Sequence, residues 1–169
     1  MALTTNMGMT ASGLLTAAGD LSTPSDDLSW RRAVALATGT GVGKADKRFT
    51  DTRTLAASAT EDLDLAGVLL DAFGAAITFA RVKGLFISAA AANTNNVIVG
   101  AASATAWAAL LGATGTITIR PGTTVGVMAG AADATGYVVA AGSTDLLKVA
   151  NSAAGTSVTY DILIIGASA

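Results

Sequence analysis

The chain has 169 residues, 51% of them apolar and only 13% charged, with a net charge of −2, no Cys and no His. That balance excludes a nucleic-acid binder working through a basic face. The missing Cys excludes disulfides and thiolate sites, and the missing His removes the commonest general base and metal ligand.

The length allows one domain of ordinary size plus an arm. Much of the apolar fraction is Ala, and Gly occurs 19 times against two Pro. Small side chains with few charges suit packed β-structure and extended protein contacts. Charge is unevenly placed. Residues 1–19 carry none, residues 20–71 carry most of it, and from Ala72 onward there are only Arg81, Lys83, Arg120, Asp133, Asp145, Lys148 and Asp161. A lone domain usually keeps a charged surface, so this scarcity predicts extensive cover by neighbours.

Residues 1–19 show no strand or helix period and no basic n-region. They are expected to form an uncharged arm that orders against partner subunits, and they are not read as a signal peptide. Asp20–Ser29 is turn-like. Ser25 with Asp26 and Asp27 suits a helix cap, whereas Trp30, Arg32, Val34 and Leu36 alternate against Arg31, Ala33 and Ala35. The alternation favours a strand or extended segment.

Gly39-Thr-Gly-Val-Gly-Lys44 invites comparison with a phosphate loop. It lacks the Gly required at position 38, which is Thr, and the Ser or Thr required at position 45, which is Ala. The expectation is a flexible Gly loop. Phe49–Leu55 alternates as a strand. Glu61–Leu65 alternates with Leu63 and Leu65 inward, and its three acids lack the spacing of a calcium loop.

Ala76–Ala89, within Phe73–Ala92, gives the longest strand pattern, with Ile77 and Phe79 on one face and Gly84 placed where a β-bulge changes the phase. Asn93–Asn96 is a turn leading to Val97–Val99. Ser103–Leu111, with Trp107, reads as a helical turn or irregular loop. Thr116–Ile119, Thr124–Met128 and Tyr137–Ala140 are short strands separated by Pro121-Gly122 and Ala132–Gly136.

The chain closes on Leu146–Val149 and Val158–Ile165 around the link Asn151–Ser157, the pattern of a β-hairpin with a longer loop. Val158, Tyr160, Ile162 and Ile164 share one face of the last strand. Thr159, Asp161, Leu163 and Ile165 share the other. Both faces turn apolar near the end, as in a central strand covered on two sides. Leu163 and Ile165 are therefore the candidate oligomer-interface residues.

Strand and turn alternate about every ten residues from position 77. The fold expected is all-β: a jelly-roll-like antiparallel β-sandwich over 49–169, with an extended N-terminal arm and segment over 1–48. No run is long enough for a transmembrane helix. Without His a Ser–His–Asp triad is impossible, and no Ser-x-x-Lys occurs. The one crowded carboxylate pair is Asp51 with Glu61 or Asp64, the minimum for glycoside cleavage. Aromatic residues, on which sugar sites rely, are only 5%. No catalytic residue, cofactor or metal site is expected.

Three stretches, Arg53–Gly67, Asp71–Ile87 and Asp133–Gly166, resemble small virion structural proteins of tailed bacteriophages. The resemblance runs from Arg53 onward, about two thirds of the chain, and rests on strand and turn phrases. It implies a non-enzymatic virion protein made in the bacterial host cytoplasm, and foremost a capsid decoration, or cement, protein. Its partner would be the major capsid protein, bridged across neighbouring coat subunits. Self-association into a homo-oligomer is expected, with a trimer as first guess, and neither nucleic acid nor membrane is expected as a partner. The alternatives are a tail, baseplate or receptor-binding fibre component, and a glycan-binding or glycan-cleaving jelly roll.

Overall fold

The computed structural model describes residues 2–169. Three strands form the N-terminal part: β1 (Thr5–Thr16), β2 (Ser25–Thr38) and β3 (Lys44–Ala45). Nine more follow: β4 (Lys47–Leu55), β5 (Thr60–Asp64), β6 (Arg81–Ala89), β7 (Val97–Gly100), β8 (Thr116–Ile119), β9 (Thr124–Met128), β10 (Tyr137–Val138), β11 (Leu146–Asn151) and β12 (Val158–Ala167). A single helical turn, α1 (Ala108–Leu111), precedes β8. The protein is all-β, as its sequence predicts.

Two antiparallel sheets make the body. One has β12 between β4 and β6, with β9 and β10 both on the far side of β6. The other has the order β5-β11-β7-β8. The pairing nests the chain about the β7–β8 connection. β7 pairs with β8, β6 with β9, β5 with β11 and β4 with β12. Further pairs, β12 with β6 and β11 with β7, close each sheet. This is the strand order of a jelly roll.

The nesting corrects one expectation. Leu146–Val149 and Val158–Ile165 are not a hairpin, because β11 and β12 lie in opposite sheets. Each buries one face on the shared core, and the link between them crosses the sandwich. Asn151 holds that crossing. Its Nδ2 donates to the carbonyls of Ala56 at 3.0 Å and Thr156 at 2.8 Å, and its Oδ1 accepts from Asn95 at 2.9 Å. A buried amide so fully engaged fixes the loop.

The core between the sheets includes Phe49, Leu63, Leu65, Ile77, Phe79, Val97, Val149, Val158, Tyr160, Ile162 and Ile164. The inward face of β12 is the one its alternation predicts. On β6 the phase changes as expected near Gly84. Val82 faces the core, then Lys83 is an unpaired extra residue, and Leu85, Ile87 and Ala89 face the core thereafter. The strand itself begins at Arg81. Upstream, the N–H groups of Ile77 and Phe79 donate to the carbonyls of Leu69 and Leu65, which docks that segment onto a loop rather than into the sheet.

The N-terminal arm is also corrected. Residues 5–16 do have strand order, pairing in unbroken antiparallel register with β2 from Thr5↔Leu36 to Thr16↔Ser25. Its small residues hide the alternation. β2 is a strand along its whole length, so the helix alternative at Ser25 is not realised. The resulting ribbon anchors at its base. Met7, Leu36, Ala45 and Ile165 form a second buried cluster on the outer face of the β12 sheet, flanked by Leu3, Val34, Phe86, Met128 and Leu163.

Candidate functional site

Three places combine exposure with specific chemistry: the edge where Asp51 meets Glu61, the Gly loop over Lys83, and the outer face of the β12 sheet with the ribbon above it.

Asp51 and Arg53 lie on β4, and Glu61 lies on β5 of the opposite sheet. The two carboxylates do converge, as the sequence allows, but Arg53 stands between them. Its guanidinium lies 2.7 Å from Asp51 Oδ2 and 2.7 Å from Glu61 Oε2. The fully buried Tyr160 on β12 donates its hydroxyl to the other Glu61 oxygen at 2.5 Å. Burial first, and the Glu61 carboxylate second, push the Tyr160 phenol far above its ordinary value. The hydrogen bond Arg53 donates to Glu61, seconded by the one it donates to Asp51, holds its guanidinium firmly protonated against the cost of its partial burial.

A glycosidase pair needs one carboxyl that carries a proton toward a leaving group. Here the acceptor oxygens of Glu61 are filled by Arg53 and Tyr160. The arrangement acts as a clamp joining three strands across the two sheets. Asp64 stands apart from it, accepting a hydrogen bond from the Ala66 N–H at 2.9 Å.

Gly39–Lys44 turns β2 back to pair with β3 in parallel. Gly39 and Gly43 have φ of 129° and 65°, which a side chain would strain. No helix follows, so no helix N-terminus meets a ligand there. The loop instead presents the Gly41 carbonyl to the Lys83 ammonium at 2.7 Å. Lys83 is 1% exposed. Desolvation, and then the nearby Arg81, lower its pKa, while Asp133 opposes them.

The outer face of the β12 sheet divides in two. At one end Ile165, 4% exposed, is covered by the ribbon base of its own chain. The cover predicted for it is therefore intramolecular. Leu163 lies beside that cluster, half-buried, and remains reachable. Further along the face is polar. Thr52 donates to Asp161 at 2.6 Å, Thr54 meets Thr159 at 3.0 Å, and Ser88 meets Thr124 at 2.7 Å. Thr50, Thr52, Phe86, Ser88, Asp161 and Leu163 line an open groove of about 690 Å³. The void inside the sandwich, lined by apolar residues such as Leu85, Ile117 and Leu147, has only about 20 Å³. A small-molecule site needs roughly 300 Å³ or more, so this void is too small to be one.

Sequence reasoning missed the ribbon beyond its base. Leu14, Leu15, Leu28 and Trp30 are all exposed there. Their signal was the apolar content of a stretch without charge on β1. Among the described residues no cluster of carboxylates is arranged to hold a metal, and no helix is long and apolar enough to cross a membrane. Comparison of the chain with protein-family models, curated proteins and solved structures finds no match.

Proposed function

We propose that this is a non-enzymatic virion structural protein of a bacteriophage, acting as a capsid decoration protein that bridges coat subunits and self-associates. The observation that carries the reading is the pairing of a charge-poor jelly roll with a projecting ribbon of exposed apolar side chains. Jelly rolls serve capsids and sugar-binding proteins alike, so the fold alone does not choose. The ribbon favours a structural role. A soluble monomer rarely leaves such side chains bare in a row, whereas an assembly protein covers them on its neighbours. The Thr- and Ser-lined face adds hydrogen-bonding area that needs no charge.

The test is location and consequence on the particle. Electron microscopy of intact virions, with the protein labelled, should place it on the capsid surface. Particles lacking it should lose their contents at lower temperature than complete ones. Labelling at the tail or baseplate would reject decoration, and absence from purified virions would reject the whole reading.

A further inference from the structure

The stripe that anchors the ribbon continues past the edge of the body. On β1 the body-facing positions run Met7, Met9, Ala11, Gly13 and Leu15, and their partners on β2 are Val34, Arg32, Trp30, Leu28 and Asp26. Met7 is buried against the sheet, and the Met9 methyl reaches over Gly126. Beyond Met9 the same face is bare, with Leu15 73%, Leu28 59% and Trp30 40% exposed. The opposite face carries mainly small and polar side chains, among them Thr10, Ser12, Ser25, Ser29 and Asp27, with Leu14 its one large apolar residue. A two-stranded ribbon is only marginally stable alone, and an apolar face on it calls for a cover.

The order of residues on that face identifies the cover. Along β2 it reads Asp26, Leu28, Trp30, Arg32: two large apolar side chains between an acid and a base. Neither charge has an ion-pair partner among the described residues of its own chain. Arg32 lies over the Trp30 ring at 5.2 Å and donates one hydrogen bond to the Arg31 carbonyl. That leaves other nitrogens of its guanidinium for a carboxylate.

Consider a second ribbon laid face to face with its strands running the opposite way. The two-fold axis sits at the level of the Ser12↔Ser29 pair. Asp26 of each copy then faces Arg32 of the other, and Leu28 faces Trp30. On β1, Met9 faces Leu15 and Ala11 faces Gly13. The small pair lies beside the large one in each ribbon, which leaves room for the Trp and Leu side chains to interdigitate. An isologous contact of this kind closes on itself.

We propose that residues 9–32 form a homodimerisation element, in which the apolar face of one ribbon packs antiparallel on that of a second copy of this chain. A two-fold, rather than the trimer expected from the sequence, satisfies both charges with one contact. The face beyond the body is about 23 Å long at about 3.3 Å per residue. Two strands of that length bury on the order of several hundred Å², below a standard stable interface. The pairing is therefore weak in dilute solution and is strengthened where copies are held close together.

The test uses the full chain and its charge reversals. Sedimentation equilibrium, over a concentration series reaching the millimolar range, should show wild-type protein passing from monomer to dimer. Asp26→Arg and Arg32→Asp should each weaken dimerisation by about tenfold or more, because like charges then meet twice. An equimolar mixture of the two should recover it, since one copy then supplies both bases and the other both acids. Trp30→Ala should lose dimerisation with an unchanged circular dichroism spectrum. A wild-type protein that stays monomeric throughout overturns the proposal. So does a trimer, a dimer indifferent to both reversals, or a mixture no stronger than its components. If wild type is monomeric but the variants leave virions, the ribbon's occupant is the coat protein and the self-pairing is refuted. The dimer is measured in solution, so its failure removes this self-pairing while leaving the placement of the protein on the capsid to its own test.

Discussion

Tyr160, in the core of one sheet, donates a hydrogen bond from its hydroxyl across the sandwich to Glu61 on the edge strand of the other, at 2.5 Å. That contact, with Arg53 on the same carboxylate, is a polar tie between the two sheets beside their apolar core. Tyr160→Phe keeps the ring and removes the tie. Hydrogen bonds to charged groups are worth about 1.5–3 kcal/mol, so denaturant unfolding of the variant should show a loss of that order.

The same residue sets an alkaline limit. Its phenol is raised in the folded protein, so it stays protonated where an unfolded tyrosine ionises. The unfolded state then binds fewer protons, and stability falls as pH rises above the ordinary tyrosine value of about 10. The decline attributable to Tyr160 is about 1.4 kcal/mol per pH unit. It should be absent from Tyr160→Phe, so the wild-type advantage should shrink when unfolding is measured from pH 9 upward; parallel curves would assign the ionisation elsewhere.

Lys83 is the opposite case, a buried ammonium whose pKa is depressed. Lys83→Met keeps the stem and removes the charge, and the Gly41 carbonyl, on an exposed residue, can turn to water. Replacing a buried charge with an apolar isostere is commonly neutral or stabilising. The expected gain is about 1 kcal/mol at neutral pH. It should shrink as pH climbs toward about 10.4, because native Lys83 loses its proton before the unfolded lysine does. A variant less stable than wild type at pH 7 would make Lys83 a net stabiliser of the Gly loop.

Two glycines separate the anchor from the body. A Cβ at Gly84 would fall on the Met7 sulfur, the far end of a flexible side chain, whereas one at Gly166 would fall on the Arg81 carbonyl and the Phe79 ring. Gly84→Ala should therefore loosen the ribbon base and leave the sandwich intact. Limited proteolysis should release the N-terminal strands first, with little change in melting of the body. Gly166→Ala has no soft neighbour and should lower the melting of the body itself, by about 1–3 kcal/mol of overpacking.

Ile165 and Leu163 now divide. Ile165→Asp places a carboxylate under the ribbon base and should detach the base or cause aggregation, visible by light scattering, since burying an unpaired charge costs far more than the lost apolar contact. Leu163→Asp, at the open margin, should fold normally. If it also left self-association unchanged, Leu163 would not be an interface residue.

Much of the body was legible in the sequence. Val158 to Ile164 name their own buried face, because a strand between two layers must alternate with period two. The phase change near Gly84 was legible too, since a glycine inside a strand pattern marks a bulge. What the sequence could not fix is which strand lies beside which. Leu146–Val149 and Val158–Ile165 read as a hairpin because a turn-rich link looks alike whether it joins neighbours in one sheet or crosses between two. Only the tertiary structure separates these, through Asn151 and the nested pairing. The same holds for Asp51 and Glu61. Their chemistry was visible as residue types, but only the approach of β4, β5 and β12 sets Arg53 and Tyr160 on the carboxylates. Ile165 announced by its apolar character that something covers it. Whether the cover was a second subunit or the chain's own N-terminus depended on contacts across more than a hundred residues, which no local pattern encodes.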